Sequence, residues 1–481
     1  MDRSEFRHHG HALVDWIADY LAGSERYPVL ARVAPGELRD ALPATAPERG
    51  ESFDVIFRDF ERLVVPALTH WNHPGFFGYF AITASASGVL AEFLSAALNQ
   101  QAMLWRTSPA ATELESVTLD WLRSLLGLPP TFEGVIYDTA SISTLHALAA
   151  AREVAVPGVR EAGLSGRGRL CIYCSEHAHS SVDKAAILLG LGHQAVRPVP
   201  GDDRFQLRVD ALRSALDRDA ADGVTPVAVV ATIGTTATTS VDPVADIAAV
   251  CRDRGIWLHV DAAYAGVTGM LPGQRAHFAG WDLADSIVVN PHKWLFVPFD
   301  LSAFYCRRMD VVRRTFALAP DFLQTPEASR GVKNLMDTGI QLGRRFRALK
   351  LWMVLRHFGA ERIRETLARH MSLARRFAEW VDADPDFERV APVPFSVVCF
   401  RARPSRGVAP AELDAFNERL LDAVNASGDA FLSHTRLNDR FVLRLAIGHL
   451  RTSDEHVSRA WELLREHAAS LAGRAHQPSP L

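Results

Sequence analysis

Lysine is nearly absent from this chain. Of 52 lysines and arginines in 481 residues, only Lys184, Lys293, Lys333 and Lys350 are lysine. A phosphate-binding P-loop needs a glycine directly before its lysine, and none of the four has one. Cysteine is also sparse. Five residues, Cys171, Cys174, Cys251, Cys306 and Cys399, are odd in number and scattered, which does not make a disulfide framework. Cys171 and Cys174 form a C-x-x-C, but Ile172 and Tyr173 between them and the apolar flanks point to a buried strand, and no second pair suggests zinc or redox chemistry. A net charge of −4 gives no electrostatic reason to expect nucleic acid or an anionic membrane as partner. No apolar stretch is long enough to span a bilayer. The polar, histidine-rich start, Met1 to Gly10, is unlike a signal peptide. A cytoplasmic protein is expected.

What is there is apolar enough for a large interior: 48% hydrophobic residues against 22% charged. At this length more than one core is expected. Phe6 to Leu21 has helical spacing and cannot bury its apolar stripe alone. The middle alternates apolar runs (Leu170–Cys174, Val227–Ile233, Trp257–Val260, Ser286–Val289) with helical stretches (Val182–Leu191, Val209–Leu216, Val244–Cys251). That alternation predicts an α/β fold with a mostly parallel central sheet covered by helices. Ligands bind such sheets beyond the strands' carboxyl ends, where Ser175–Ser181, Gly234–Thr236, Asp261 and Asn290–Lys293 collect. Further on, a long helix (Leu342 to Ala378), strand residues in Val390–Phe400, a helix (Pro410–Val424), a strand (Phe441–Ile447) and a last helix (Ser453–Leu471) read as a small α+β domain. The expected divisions are an N-terminal helical segment at 1–85, a large domain at 86–360, the C-terminal α+β domain at 361–472 and a disordered tail at 473–481.

Three segments carry chemistry. In Ser286-Ile-Val-Val-Asn-Pro-His-Lys-Trp294, a scarce lysine stands just past a strand. Between His292 and Trp294, desolvation would favour the neutral amine that attacks an aldehyde. In Trp257-Leu-His-Val-Asp-Ala-Ala-Tyr-Ala-Gly266, Asp261 follows an apolar strand. A buried carboxylate needs a cationic partner, and a protonated pyridine nitrogen would be one. Taken alone, Asp261 could also be a helix cap or turn residue. Tyr137-Asp-Thr-Ala-Ser-Ile-Ser-Thr144 opens a helix whose free N–H groups, with the hydroxyls of Thr139 and Ser141, could take a phosphate; a plain N-cap is the alternative. Together these point to pyridoxal 5′-phosphate (PLP), with Lys293 as the Schiff-base lysine and Asp261 at the ring nitrogen.

With Trp71-Asn-His-Pro74, Ser108-Pro-Ala-Ala-Thr-Glu-Leu-Glu115, His179-Ser-Ser181 and Leu342-Gly-Arg-Arg-Phe-Arg347, these segments resemble the group II PLP-dependent amino-acid decarboxylases, aromatic-L-amino-acid decarboxylase type, over nearly the whole chain. The resemblance implies PLP-dependent transferase fold type I and a homodimer with the active site at the interface, the N-terminal segment serving dimerisation. It places His179 on the cofactor ring and Ala263 on the opposite face. Thr236 falls beside the phenolic oxygen, and His292 precedes the lysine. Thr139, Ala140, Ser141 and Asn290 fall at the phosphate. Trp71, Tyr79 and Phe80 match an aromatic substrate wall, and Gly343 fits the branch acting on bulky aromatic amino acids. The implied reaction releases carbon dioxide and gives the amine.

Three departures stand out. Asp138 replaces a glycine of the animal members beside the phosphate site, where a carboxylate repels unless it points away or caps the helix. Gln100, Gln101 and Met103 replace more apolar residues on the pocket rim. Phe322 falls where a loop tyrosine is thought to protonate the substrate carbon, and phenylalanine has no proton to give; in plant relatives that change accompanies aldehyde synthases. Plain decarboxylation is preferred as the family's majority activity. An aldehyde synthase and a non-catalytic PLP-fold protein remain as alternatives. The pairs His73 with Trp71-Asn72 and His177-Ala-His179 lack a carboxylate at ligand spacing, so no metal is expected. His8, His9 and His11 read as a solvated face.

Overall fold

The computed structural model describes residues 1–318, 327, 331–405 and 408–474. The chain divides into two compact units. One comprises Met1–Ala81, Leu373–Val390 and Val398–Leu481, the other Ile82–Ser372 and Ala391–Val397. The N-terminal segment and most of the C-terminal α+β region thus share a unit.

The first unit opens with a helix, Arg3–Ala22. Its start is written in the sequence: Asp2 accepts the N–H groups of Ser4 and Glu5, and Glu5 accepts that of Asp2, a capping box. Trp16 on this helix packs on Phe57 and Phe60 of the same unit, which covers part of its apolar stripe. Two residues further on, β1 (Phe76–Phe77), join the N-terminal part of the chain to this unit's sheet.

The second unit is built on a seven-stranded sheet. Its strands are β2 (Glu133–Tyr137), β3 (Leu170–Ser175), β4 (Val196–Val199), β5 (Thr225–Thr232), β6 (Trp257–Asp261), β7 (Ser286–Val289) and β8 (Ser302–Cys306), in the order β2-β8-β7-β6-β5-β3-β4. β3 to β7 pair in parallel; β8 runs antiparallel between β2 and β7. Every residue of β6, β7 and β8 is buried, which is why these strands are continuous apolar runs rather than alternating ones. The expected mostly parallel sheet is present. Cys171 and Cys174 lie buried in β3, as expected for a strand.

Strand register brings the chemistry-bearing turns together. Thr232 stands opposite Asp261, and Asp261 opposite Val288. The carboxyl ends of β5, β6 and β7 therefore lie at one sheet edge. β2, antiparallel to an antiparallel strand, points its own end the same way.

In the first unit β1 joins β9 (Phe387–Arg389), β10 (Val397–Ala402), β11 (Phe431–Leu437) and β12 (Arg440–Ala446) in the order β1-β11-β12-β10-β9. The closing helix, Asp454–Arg474, includes Gly473. The helix expected from Leu342 begins instead at Ala348 and runs to Ala383, with Gly359 non-helical inside it (φ 67°). The reason lies in residues 342–347. Arg344 donates its N–H to the Gln101 side chain and accepts that of Ala102, so its backbone is already engaged. No helix among the described residues is long and apolar enough to cross a membrane.

Candidate active site

The loops leaving β2, β3, β5, β6 and β7 carry the residues singled out from the sequence. Beyond β6, Asp261 is buried and its Oδ1 accepts the N–H of Ala263 at 3.0 Å. The carbonyl of Ala263 in turn accepts the N–H of Asn290 beyond β7 at 2.9 Å, and the Asn290 carbonyl accepts that of Lys293 at 2.9 Å. A short backbone relay thus links the Asp261 and Lys293 turns. Lys293 sits in a single helical turn, Pro291–Trp294. That turn is held by Trp294, which is fully buried, stacks on Tyr264 at 4.8 Å and donates to His370 Nδ1 at 3.0 Å.

His179, beyond β3, completes the group. Its Nδ1 accepts the N–H of Ser181 at 3.1 Å, which leaves a ring hydrogen for Nε2. Burial lowers its pKa; Asp261 pulls the other way, and Lys293 and Lys184 reinforce the lowering. One imidazole therefore feels the carboxylate and the amine together. His292 accepts the Leu301 N–H at Nδ1, 2.9 Å away, and rests edge-on against Phe299. Burial first, then the neighbouring charges of Lys293 and Lys350, push its pKa down to about 3, against the pull of Asp300.

Ala140, Ala263 and Val288 form one small apolar cluster, which joins the start of the helix Ala140–Ala155 to the turn after Asp261. The Thr139 carbonyl already takes the N–H groups of Ile142 and Ser143, so those of Ala140 and Ser141 have no intrahelical acceptor. The Thr139 hydroxyl is not free as the sequence suggested: it donates to Asp138 Oδ1 at 3.1 Å. Thr236 projects exposed from the loop Gly234–Ser240. That loop is knotted by hydroxyls: Thr235 to Thr238 at 3.1 Å and Thr238 to Ser240 at 2.7 Å.

These residues fit PLP on structural grounds. The carboxamide oxygen of Asn290 is buried and has no hydrogen-bond partner among the described residues. It lies next to a buried carboxylate, a lysine and two unspent helix N–H groups, the donor and charge set that a phosphorylated pyridine aldehyde requires. The small side chains of Ala140 and Ala263 leave backbone within reach.

Of the expected substrate pocket, Gln101 and Gly343 come together, while Met103 packs beside Leu104 and Met336. A Cβ on Gly343 would stand 3.9 Å from Gln101 Nε2, and the Met103 carbonyl accepts the Met336 N–H at 3.2 Å. Trp71, Tyr79 and Phe80 belong to the other unit. There Trp71 stacks on Phe76 and Tyr79, and Arg444 lies over Phe80 at 4.7 Å. Phe322 lies outside the described residues.

Sequence reasoning missed two supports. Glu115 and Arg344 make a buried ion pair at 2.9 Å, although both lie in segments that carry the family resemblance. Asp242 is buried and accepts the N–H groups of Thr232 and Leu207, each at 2.8 Å, at the root of the Thr236 loop. An aspartate followed by proline after a threonine-rich turn was the available signal. A cluster of metal-ligand type, His8, His9 and Asp54, lies at the surface of the first unit, its ligand atoms within 4.8 Å of one another.

A parallel-centred sheet with lysine and aspartate turns at adjacent strand ends defines a fold type I PLP enzyme. Residues 35–403 match the family model of the pyridoxal-dependent decarboxylase conserved domain. The chain is 40% identical to a phenylacetaldehyde synthase of Arabidopsis thaliana over 98% of its own length and 97% of that protein. It is 39% identical to the aromatic-L-amino-acid decarboxylase of Rattus norvegicus, covering 98% and 99%. The crystal structure of Oryza sativa TDC with PLP and tryptamine superposes with a TM-score of 0.95 at 36% identity, covering 98% of this chain and 99% of that one. The chain belongs to the group II PLP-dependent decarboxylases, within the aromatic amino-acid branch, and is a PLP-dependent carboxy-lyase.

Proposed function

We propose that this enzyme removes the α-carboxylate of an aromatic L-amino acid and releases the amine and carbon dioxide. The observation that supports this most is the hydrogen-bonded relay from Asp261 through Ala263 and Asn290 to Lys293, which sets the buried carboxylate and the lysine at adjacent strand ends. PLP, when bound, supplies the electron sink for the electrons of the broken carbon–carboxylate bond. Lys293 would hold the cofactor through its aldehyde. Asp261 keeps the ring nitrogen protonated, and its own orientation is fixed by the Ala263 N–H. His179 offers a flat face and an Nε2 hydrogen to the ring and substrate. Ala140, Ser141 and Asn290 hold the phosphate, and Thr236 stands by the phenolic oxygen. Gln101, Met103 and Gly343 line the substrate's side chain.

The enzyme works as a homodimer in this reading. Leu90, Phe93, Leu94 and Leu98 are each about half exposed on the helix Ala86–Leu98. An apolar row at that spacing is what a second copy would cover. Five free, buried cysteines suit a reducing cytoplasm.

A second reading is carried by Phe322. Without a phenolic proton donor, the enzyme would consume oxygen and water and release aldehyde, carbon dioxide, ammonia and hydrogen peroxide. The Arabidopsis relative named a phenylacetaldehyde synthase agrees with it. Incubation of the holoenzyme with L-phenylalanine, L-tyrosine, L-tryptophan and L-dopa, with amine, aldehyde and peroxide quantified by mass spectrometry and peroxidase assay, separates the two. Amine without peroxide supports the first reading. Aldehyde with equal peroxide, shifted toward amine by Phe322→Tyr, supports the second. Retention of all four carboxylates would overturn both.

A further inference from the structure

The carboxylate of Asp138 occupies an unusual position. It follows β2 and stands directly before the helix Ala140–Ala155. Its Oδ1 accepts two donors from Thr139, the N–H at 2.5 Å and the hydroxyl at 3.1 Å. Its Oδ2 accepts Gln341 Nε2 at 3.2 Å. The side chain is therefore pinned from both sides and is not free to swing away. None of its partners among the described residues is a cation: it forms no ion pair, and its hydrogen bonds come from neutral groups.

An anion placed at the start of this helix meets two obstacles. The Thr139 hydroxyl, a natural phosphate donor, already points its hydrogen at Asp138. The charge of Asp138, half-buried and uncompensated, is of the same sign as the phosphate. At an effective dielectric near that of a protein surface, like charges about ten ångströms apart repel enough to weaken binding by about tenfold. The attraction of the free N–H groups of Ala140 and Ser141 for an anion is thereby offset by the resident carboxylate beside them.

We propose that Asp138 is a built-in brake on cofactor affinity: it lowers the enzyme's hold on PLP through the phosphate alone and leaves recognition of the pyridine ring untouched. The carboxylate remains useful because it anchors Gln341, and with it the stretch that carries Gly343 and Arg344. The inference rests on the proposed seating of the phosphate at Ala140 and Ser141.

The test is binding, not turnover. Apoenzyme is titrated with PLP and, separately, with pyridoxal, which lacks the phosphate, and Kd is read from tryptophan fluorescence and equilibrium dialysis. Asp138→Asn removes the charge and keeps an oxygen for Thr139 or Gln341; Asp138→Ser is the second variant should asparagine disturb folding, which circular dichroism reports. PLP should bind the variant about tenfold more tightly, the equivalent of the repulsion removed, while the pyridoxal Kd stays put. A folded variant whose PLP affinity is unchanged or weaker overturns the brake, as does an equal gain for pyridoxal. Wild-type apoenzyme that binds pyridoxal as tightly as PLP would instead overturn the phosphate seating beneath it.

Discussion

His292 accepts the backbone N–H of Leu301 at Nδ1, 2.9 Å away, and so carries its own hydrogen on Nε2. The ring is neutral throughout the working range, since burial and the charges of Lys293 and Lys350 hold its pKa down to about 3. A neutral donor of fixed tautomer stands beside the lysine. His292→Gln keeps an N–H donor but loses the ring, so kcat should fall by about a hundredfold. The acid limb of the pH–kcat/KM profile should stay where it is in the wild type. A limb that moves in the variant would show that His292 titrates in the active range, contrary to its surroundings.

Glu115 and Arg344 fix the pocket side of the sheet. Glu115 Oε1 accepts the Ile136 N–H at 2.8 Å and Arg344 Nη2 at 2.9 Å, while Nη2 also reaches the Ile136 carbonyl at 2.6 Å. Both side chains are buried, and Arg344 Nη1 has no hydrogen-bond partner among the described residues. Glu115→Ala would strand that guanidinium and cost about 3–5 kcal/mol. The double variant Glu115→Leu with Arg344→Met should lose much less than the two single changes added together. Urea unfolding of the apoenzyme followed by fluorescence measures both. Additive losses would mean that the pair is not coupled.

How far the sequence reaches can be judged from particular strands and side chains. β6 and β7 were legible because strands buried on both faces are unbroken apolar runs, and the polar turn after each announces its own end. Lys293 was conspicuous through scarcity. β8 was not read: an antiparallel strand of five residues between two neighbours of opposite direction has the composition of any apolar stretch. β4 hides behind Pro198, which only an edge strand tolerates. Val196–Val199 is indeed at the sheet edge. The fate of the Thr139 hydroxyl depended on which way the adjacent Asp138 turns, a choice made by Gln341, about two hundred residues away. Contacts of that range leave no periodic trace.

Gly234 shows a tight approach that the sequence only hints at. It follows β5 with φ +92°, and a Cβ there would lie 2.7 Å from that of Ala265. Gly234→Ala must therefore strain the backbone and push the Thr236 loop from the turn after Asp261. A loss of about 2–3 kcal/mol is expected, with weakened PLP retention on dialysis. Gly223 is the control: its φ is +70° but nothing lies within 4 Å of its would-be Cβ. Gly223→Ala should cost only about 1 kcal/mol and leave cofactor binding intact. Equal behaviour of the two variants would refute the role given to the Ala265 contact.

Acid should weaken the fold before it protonates ordinary carboxylates. Burial lowers the pKa of His73, His146 and His259 to about 4 each, and that of His292 to about 3. A histidine whose folded pKa is depressed adds stability above its unfolded value near 6.5, and that stability is lost as pH falls toward the folded value. Asp242 acts in the opposite sense. Burial raises it to about 6, so the folded state keeps a proton that the unfolded chain has released, and its contribution grows as pH falls through 6. From these five groups alone, four histidines against one aspartate contribute a net uptake of about three protons on unfolding near pH 5, a slope of about 4 kcal/mol per pH unit. Denaturant titrations between pH 5 and 6.5 should show stability falling steeply with acid. His259→Gln takes one proton out of the balance and should flatten the slope by about 1.4 kcal/mol per pH unit, whatever it does to stability at pH 7. A slope that the substitution leaves unaltered would mean that His259 is protonated in the folded protein, and that the buried face of β6 admits a charge.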